Sequence, residues 1–237
     1  MRDLKDTVVV IPGASGGVGR ALARKLAEKK ARIAIASNEP DALRDQAQEL
    51  GTLGVEVFSR ALDVVDETQV ESFFSDVTAH FGRVDTLVNL PGLSRTGKIW
   101  EMPVEDYDKM IDVNLKGIFL CCKHFVPHVE ADAHGLIVNI GSMAAKRANP
   151  NAPMYCTAKA AVHMFSQALA LQLIEKGIRV TTMNPGPIDS PFWGDRPVPR
   201  EKFMRPEDVA ETIGFVIGMN PNVVFHDVSF ESFLFMK

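Results

Sequence analysis

The sequence predicts an α/β fold in which a doubly wound parallel sheet of about seven strands carries helices on both faces. Short apolar, β-branched runs alternate with helix-forming segments along the whole chain, at the spacing of βαβ units. A glycine-rich turn follows the first run and leads directly into a helix. No linker, repeat or low-complexity segment interrupts the alternation, so residues 1–237 are predicted to form a single domain with right-handed crossovers.

The elements follow from apolar periodicity and from flanking glycine and proline residues. The predicted strands cover residues 7–11, 32–37, 55–62, 84–89, 134–140 and 178–183, and a seventh begins at 223. The predicted helices cover residues 20–30, 40–50, 67–81, 102–129 and 158–173, and the last begins at 206. Residues 190–204 are a long irregular stretch that could form a lid or a simple connection, and residues 230–236 are an apolar tail.

Composition and charge exclude several functional classes. Hydrophobic residues make up 46% and charged residues 24% of the chain, as in a globular protein with a full core. A net charge of −4 without a basic run argues against nucleic acid as a partner. No apolar stretch reaches the length of a membrane span, and residues 1–6 lack the apolar core of a signal peptide. We therefore expect a cytoplasmic protein without a membrane partner.

The cysteines and histidines predict neither disulfides nor a metal site. Cys121, Cys122 and Cys156 show no C-x-x-C spacing, which favours reduced thiols in a reducing compartment. His124 and His128 are spaced like metal ligands, but Pro127 lies between them and no third ligand is evident. No metal is expected.

The glycine-rich turn is suited to binding a pyrophosphate. It has the spacing G-x-x-x-G-x-G and lies between the first strand and the first helix. Glycines let the backbone turn tightly and approach the phosphates, and the helix N-terminus offers free N–H groups and a favourable dipole. The residues expected to contact a nucleotide here are Gly13, Ser15, Gly16, Gly17, Val18 and Gly19.

The end of the second strand bears on which dinucleotide binds. An acidic residue commonly holds the adenosine ribose hydroxyls there, but the chain has Ser37 and Asn38. Because a carboxylate would repel a 2′-phosphate, its absence favours NADP(H) over NAD(H), although Glu39 follows closely. No arginine comes directly after Ser37, so Arg20 and Arg60 are the candidates for reaching that phosphate.

Two polar residues next to predicted elements have two interpretations each. Asp63, just past the third strand, could accept from an adenine amino group or cap the following helix. Asn114 lies in the long predicted helix, where it could mark a kink or direct its amide into a cleft.

Tyr155, Lys159 and Ser142 predict chemistry at a carbon-bound oxygen. Tyr155 and Lys159 are four residues apart in a helical run, so their side chains lie on one face. The ammonium is expected to stabilise the phenolate and lower the Tyr155 pKa, and the strand before Ser142 can bring its hydroxyl alongside. The set suits carbonyl reduction or alcohol oxidation. A tyrosine and a lysine at this spacing are also a common surface contact, so the interpretation needs a hydride carrier elsewhere in the chain.

Together and in this order, the motifs resemble those of the short-chain dehydrogenase/reductase family over nearly the whole chain. The residues that carry the resemblance are Gly13-x-x-x-Gly17-x-Gly19, Asn114, Ser142 thirteen residues before Tyr155, Tyr155-x-x-x-Lys159 and Asn184-Pro-Gly186. The resemblance implies a Rossmann fold, an NAD(P)-dependent oxidoreductase and a homodimer or homotetramer packed through the helices of Asn114 and Tyr155.

The resemblance also implies a role for each site residue. Tyr155 would be the general acid or base, Ser142 would hydrogen-bond the substrate oxygen, and Lys159 would lower the Tyr155 pKa and hold the nicotinamide ribose. Asn114 would support a water-linked proton path to Lys159. The other implied cofactor contacts are Asp63 and Val64 at adenine, Asn89 and Gly92 on the adenosine side, and Pro185, Gly186, Ile188 and Ser190 at the nicotinamide.

The chain departs from the family pattern at three places, and these departures bear on which functions are considered. Pro12 stands where a threonine usually opens the glycine motif, Leu90-Pro91 replaces an Asn-Ala pair, and residues 225–230 replace a glycine-rich ending. The leading hypothesis is an NADP(H)-dependent oxidoreductase acting on a small ketone, aldehyde or secondary alcohol, with 3-oxoacyl thioester reduction as the alternative. A non-catalytic dinucleotide sensor or scaffold is the alternative from another class, supported by Pro12 and Leu90-Pro91 alone.

Overall fold

The computed structural model describes residues 2–130 and 134–237. The strands within these ranges are β1 (Val8–Pro12), β2 (Arg32–Ser37), β3 (Val57–Ala61), β4 (Thr86–Asn89), β5 (Leu136–Ile140), β6 (Arg179–Pro185) and β7 (Asp227–Phe230). The α-helices are α1 (Gly17–Glu28), α2 (Pro40–Thr52), α3 (Glu67–Phe81), α4 (Val104–Ile111), α5 (Gly117–Phe125), α6 (Pro153–Gln172), α7 (Pro206–Ile217) and α8 (Phe233–Met236).

All seven strands form one parallel sheet in the order β3-β2-β1-β4-β5-β6-β7. Strand order reverses between β1 and β4, and in such sheets a crevice opens at the carboxyl ends of the strands on either side of the reversal. The predicted fold class is confirmed. The glycine turn, the end of β2 and the residues after β4, β5 and β6 therefore meet at one edge of the sheet.

Each face of the sheet buries its own apolar core. On one face, α1, α2 and α7 cover a cluster that includes Leu22, Leu26 and Ile213. On the other, α3, α5 and α6 cover a cluster that includes Phe73, Phe74 and Val162. Strand residues alternate between the two clusters, as expected for a sheet buried on both sides. None of the described helices has both the length and the apolar content needed to cross a membrane.

Three predicted elements differ from the structure by more than three residues or by a break. The helix with Tyr155 begins at Pro153 rather than 158, because proline is well suited to the first helical position. The long helix after 102 is divided into α4, a π-helical turn over Asp112–Lys116, and α5. The seventh strand begins at Asp227 rather than 223: the Val223 carbonyl accepts from the Arg179 guanidinium (3.2 Å), a side chain of β6, and not from a backbone N–H of that strand.

Candidate active site

The glycine turn forms a cradle that side chains would fill. Gly13 has a φ of +80°, and a Cβ there would lie 2.9 Å from the backbone nitrogen of Pro91. A Cβ on Gly19 would lie 2.5 Å from the carbonyl oxygen of Ala14. The N-cap of α1 is Gly16, which has no side chain to occupy the N–H groups of the first turn. These groups therefore suit a pyrophosphate, and the residues present fit a dinucleotide.

The two departures near this turn lie next to each other. Pro12 ends β1, where its missing N–H is tolerated, and its carbonyl accepts from the backbone N–H of Leu90 at 3.2 Å. Pro91 is buried against Gly13. The N–H groups of Gly13 and Ala14 both donate to the carbonyl of Ala36, so the turn keeps its anchoring to β2.

The end of β2 carries a small hydroxyl and carboxylate cluster. The Ser15 and Ser37 hydroxyls are 2.6 Å apart, and Ser15 also donates to the Glu39 carboxylate at 2.5 Å. The Ser37 hydroxyl accepts from the backbone N–H of Glu39 at 3.1 Å, and Asn38 is exposed. An acidic group thus lies at this strand end, contributed by Glu39 two residues past the expected position.

The two arginines considered for phosphate binding are placed differently. Arg60 forms an ion pair with Asp76 on α3, which removes it from the β2 end. Arg20 donates to the carbonyl of Ala42 at 2.9 Å, in the first turn of α2. Arg20 therefore lies at the helix that follows Glu39, whereas Arg60 does not.

Asp63 does not cap the helix that follows it. Asp66 is the N-cap of α3, where its carboxylate accepts from the backbone N–H of Gln69 at 3.1 Å. The Asp63 carboxylate instead accepts from the N–H of Val65 at 3.1 Å, and it is exposed. Val64 packs against Gly117 at the start of α5.

Asn114 has both properties that the sequence left open. It lies in the π-helical turn between α4 and α5, and such turns are frequent at functional sites. Its fully buried amide bonds the backbone of Leu93, donating to the carbonyl at 2.7 Å and accepting from the N–H at 3.3 Å. A Cβ on Gly92 would lie 3.6 Å from the Asn114 Oδ1 and 3.8 Å from the Lys159 Nζ. The amide and the ammonium thus converge on Gly92.

Lys159 is a buried ammonium with a defined acceptor. Its Nζ donates to the backbone carbonyl of Ile140 at 2.9 Å, at the end of β5. The residue is 2% exposed, and burial lowers the pKa of Lys159 to about 8. The side chain remains mostly protonated at neutral pH.

Tyr155 and Ser142 lie together in front of Lys159. The Ser142 hydroxyl accepts from the N–H of Ala144 at 3.1 Å, which leaves its proton free to donate. Burial raises the pKa of Tyr155 to about 12, and a hydrogen bond with Ser142 opposes that rise. The expected lowering of this pKa by Lys159 is not found: the Nζ lies 5.9 Å from the Tyr155 ring centroid, and burial dominates. Tyr155 is therefore a protonated donor at neutral pH.

Asn184 positions Ser142, a role that sequence reasoning missed. Its Oδ1 accepts from the backbone N–H of Ser142 at 3.1 Å, and its Nδ2 donates to Asp227 on β7 at 3.0 Å. A Cβ on Gly141 would lie 2.2 Å from this Oδ1. The available signal was a polar residue at the end of a fully buried strand.

The side chain of Asn89, expected on the adenosine side, takes part in a buried hydrogen-bond network. Its side chain is completely buried and donates to Asn139 on β5 at 2.8 Å and to the Cys122 sulfur at 3.4 Å. Asn139 continues this chain of bonds to Ser166 on α6 at 2.9 Å. The side chain of Asn89 thus links β4 to β5 and to the helices packed behind them.

The segment after β6 returns to the glycine turn. The N–H of Gly186 donates to Phe230 at 2.8 Å, and Ile188 forms a bridge with Met204. A Cβ on Gly17 would lie 3.3 Å from the Ser190 Cβ. The structure therefore brings residues 185–190 across the crevice toward α1. Among residues 2–130 and 134–237, no group of histidine, cysteine and acidic side chains could hold a metal ion.

Comparison with known proteins agrees with this geometry. The family model described as short chain dehydrogenase matches residues 7–199. An uncharacterized oxidoreductase of Staphylococcus epidermidis is 30% identical over 229 residues, covering 97% of this chain and 98% of the relative. An alcohol dehydrogenase of Thermococcus sibiricus, solved with 5-hydroxy-NADP, is 32% identical with a TM-score of 0.88, covering 96% of this chain and 97% of its own. A short-chain type dehydrogenase/reductase of Mycobacterium marinum is 27% identical with a TM-score of 0.86, covering 96% of this chain and 94% of its own. Together with the parallel sheet and the assembled site, these matches show that the chain belongs to the short-chain dehydrogenase family.

Proposed function

We propose that this oxidoreductase reduces a small ketone or aldehyde, or oxidises the matching secondary alcohol, with NADP(H) as the preferred cofactor. The observation that carries the proposal is the grouping of Tyr155, Ser142 and Lys159 at the edge of the sheet that also holds the glycine turn. When bound, the nicotinamide supplies or accepts the hydride.

In this proposal the chain itself handles the proton. Tyr155 gives its hydroxyl proton to the carbonyl oxygen as the alcohol forms, and takes it back in the reverse direction. Ser142 donates a hydrogen bond to the same oxygen and so fixes its position. Lys159, held by the Ile140 carbonyl, places a positive charge where phenolate develops. The glycine turn, Ser15, Ser37 and the residues from Pro185 to Ser190 would hold the dinucleotide, with Asp63 and Val64 near adenine.

The proposed proton donor can be tested by Tyr155→Phe. We expect turnover to fall by about 10²-fold or more, because the acid is removed, while the Kd for NADPH from nicotinamide fluorescence stays nearly unchanged. The assay is a panel of ketones, aldehydes and a 3-oxoacyl thioester, followed by nicotinamide absorbance. Retention of most activity by the variant would show that Tyr155 is not the donor. Cofactor binding by the wild type without turnover on any carbonyl would favour the scaffold alternative.

The preference for NADP(H) is supported by Ser37 and Asn38 and by the NADP analogue bound to the Thermococcus sibiricus relative. It requires the exposed Glu39 carboxylate to leave the Ser15 hydroxyl when a 2′-phosphate enters. Arg20, whose guanidinium donates to the Ala42 carbonyl in the first turn of α2, is the cation proposed for that phosphate.

Glu39→Gln tests this preference directly. The substitution removes one negative charge at the β2 end, so we expect NADPH to bind about tenfold more tightly and NADH to change little. Asp41→Asn, on the exposed surface of the same helix, is the control for a general change of charge. Tighter binding of NADH than of NADPH by the wild type would reverse the proposed preference.

Assembly and location complete the proposal. We infer a homo-oligomer because apolar side chains on α5 and α6 are exposed, among them Phe119, Met164 and Leu171. All three cysteines are free thiols, which supports a reducing compartment such as the cytoplasm. Fractionation of cells producing the protein would test the location, and enrichment outside the cytoplasmic fraction would contradict it.

A further inference from the structure

A cavity of about 490 Å³ lies beside Tyr155, between the segment after β4 and the segment after β6. Its wall includes Leu93 and Ser94 on one side and Phe192 and Trp193 on the other. The Phe192 ring lies 5.8 Å from the Tyr155 ring, so one residue of the cavity wall packs against the proposed reacting group. Its volume is that of a small-molecule site.

Both ionisable side chains in the wall of this cavity are arginines, Arg95 and Arg196. They come from opposite sides, Arg95 from the segment after β4 and Arg196 from the segment after β6. Two like charges facing one small space repel each other, and this arrangement is relieved when an anion lies between them. Burial, and then the charge of Arg95, lowers the pKa of Arg196.

Arg196 is held firmly in place. Its Nε donates to the carbonyl of Trp193 at 2.8 Å, and Nη2 donates to the carbonyl of Phe192. Its Cζ lies 4.9 Å from the Trp193 ring and 5.3 Å from the Phe192 ring. A guanidinium fixed by two carbonyls and two aromatic rings is preorganised, and Nη1 takes part in neither of these bonds.

Arg95 is paired less completely. Its Nε lies 3.4 Å from the Asp106 carboxylate on α4, while its two terminal nitrogens lie outside that contact. The neighbouring Leu93 is tied to Asn114, which fixes the backbone of this wall. Each arginine therefore keeps N–H donors for a ligand in the cavity.

We propose that the substrate carries a carboxylate or a phosphate a few carbon atoms from the reacting carbonyl, and that Arg95 and Arg196 bind this group. The inference rests on the proposed carbonyl chemistry at Tyr155, because Phe192 contacts both the phenol and the Arg196 guanidinium. It names the class of substrate that the sequence left open.

Matched pairs of substrates test the proposal. Oxo acids with increasing distance between carbonyl and carboxylate are compared with their methyl esters, and dihydroxyacetone phosphate with dihydroxyacetone. We expect the wild type to favour at least one anionic member by about tenfold or more in kcat/KM, and Arg95→Met and Arg196→Met each to reduce that ratio about tenfold or more. Comparing the ratios of the acid pairs with that of the phosphate pair shows whether the site prefers a carboxylate or a phosphate. Arg196→Lys keeps the charge but loses the planar fork, so its kcat/KM ratio is expected to lie between those of the wild type and Arg196→Met.

Two control variants isolate the anion effect. Arg200→Met loosens the same segment, because Arg200 bonds Asp189 and the Gly194 carbonyl at 2.8 Å each, but it does not line the cavity. It is expected to affect both members of a pair equally and to leave the ratio unchanged. Arg44→Met, on the exposed surface of α2, should change neither the kcat/KM of the two substrates nor their ratio.

Direct binding separates this inference from the proposed function. Trp193 lines the cavity and Trp100 is the other tryptophan of the chain, so Trp193 is the reporter in a Trp100→Phe background. Malonate and inorganic phosphate are titrated, with saturable quenching expected that either arginine substitution weakens about tenfold or more. Anion binding without turnover of any carbonyl would overturn the proposed function and leave the anion site standing. Turnover of neutral and anionic members alike, unchanged in ratio by either substitution, would overturn the anion site alone.

Discussion

Lys159 is a charged side chain that the fold buries beside Tyr155, at a cost in free energy. The residue is 2% exposed, and its ammonium donates to one carbonyl, that of Ile140. Removing a charge from water is unfavourable, so burial lowers the pKa of Lys159 from its ordinary 10.5 to about 8. In the proposed mechanism this cost accompanies a cation placed behind Tyr155.

The buried ammonium should make the stability of the folded protein depend on pH. Between pH 8 and 10.5 the unfolded chain keeps a proton on Lys159 that the folded chain releases, so folding becomes more favourable as pH rises. Relative to Lys159→Met, the wild type should gain up to about 3 kcal/mol across this window, at about 1.4 kcal/mol per pKa unit. Urea unfolding of both proteins measures the difference. A difference that stays constant with pH would show that Lys159 is not buried as a charge.

At the scale of residues, helical spacing could be predicted from the sequence, whereas the hydrogen-bond partners of the side chains could not. The spacing of Tyr155 and Lys159 on one helical face could be derived from the chain alone. The acceptor of Lys159, and the burial that controls the Tyr155 pKa, depend on which strands lie side by side. The cap of α3 could have been placed, since Asp66 directly precedes the helix while Asp63 lies three residues farther away.

At the scale of elements, β6 and β7 hold the turn that carries Ser142. Asn184 bonds the Ser142 N–H from β6, and Asp227 on β7 accepts from both Asn184 and Lys146. Arg147, in the same turn, pairs with Glu231. The sequence-based start of β7 at 223 missed this arrangement, because apolar character alone marked the strand and the Arg179 contact could not be seen. The position of Ser142 thus depends on residues far from it in the chain.

Asn184→Ala tests this support of Ser142. Losing the amide leaves the Ser142 N–H without its partner and removes one of the hydrogen bonds to Asp227, which should cost about 1–3 kcal/mol of stability. Because Ser142 loses its alignment, kcat should fall about tenfold while the Kd for the dinucleotide changes little. Ser229→Ala is the matched control: it removes another hydrogen bond to Asp227, at 2.7 Å, without touching Ser142. Equal kcat values for Asn184→Ala and the control would show that Asn184 does not position Ser142.

At the scale of the whole molecule, the alternation of strands and helices was sufficient to predict the topology. Both apolar cores share the same seven-stranded sheet, which supports the proposal that the chain is one domain. What the alternation could not predict was the course of residues 190–204, because irregular segments carry no periodic signal. Their conformation depends on Arg196 and Arg200, which bond carbonyls of the same segment.

The final prediction concerns the exposed apolar surface of α5 and α6. Met164 and Leu171, two helical turns apart on α6, are 62% and 73% exposed, and Phe119 on α5 is 44% exposed beside Phe165. Because such a patch is unfavourable in water, we propose that it packs against a second copy of the chain. A charge placed there would be buried without a partner, so Met164→Glu should shift the sedimenting species to a lower mass.

Phe215→Glu supplies the comparison, since Phe215 is 47% exposed on α7, on the opposite face of the sheet. Dissociation by Met164→Glu together with an unchanged mass for Phe215→Glu would place a subunit contact on α5 and α6. The reverse result would move the contact to α7 and refute the proposed face. Loss of mass in both variants would indicate two interfaces, as a tetramer requires, because a closed dimer needs only one self-complementary surface.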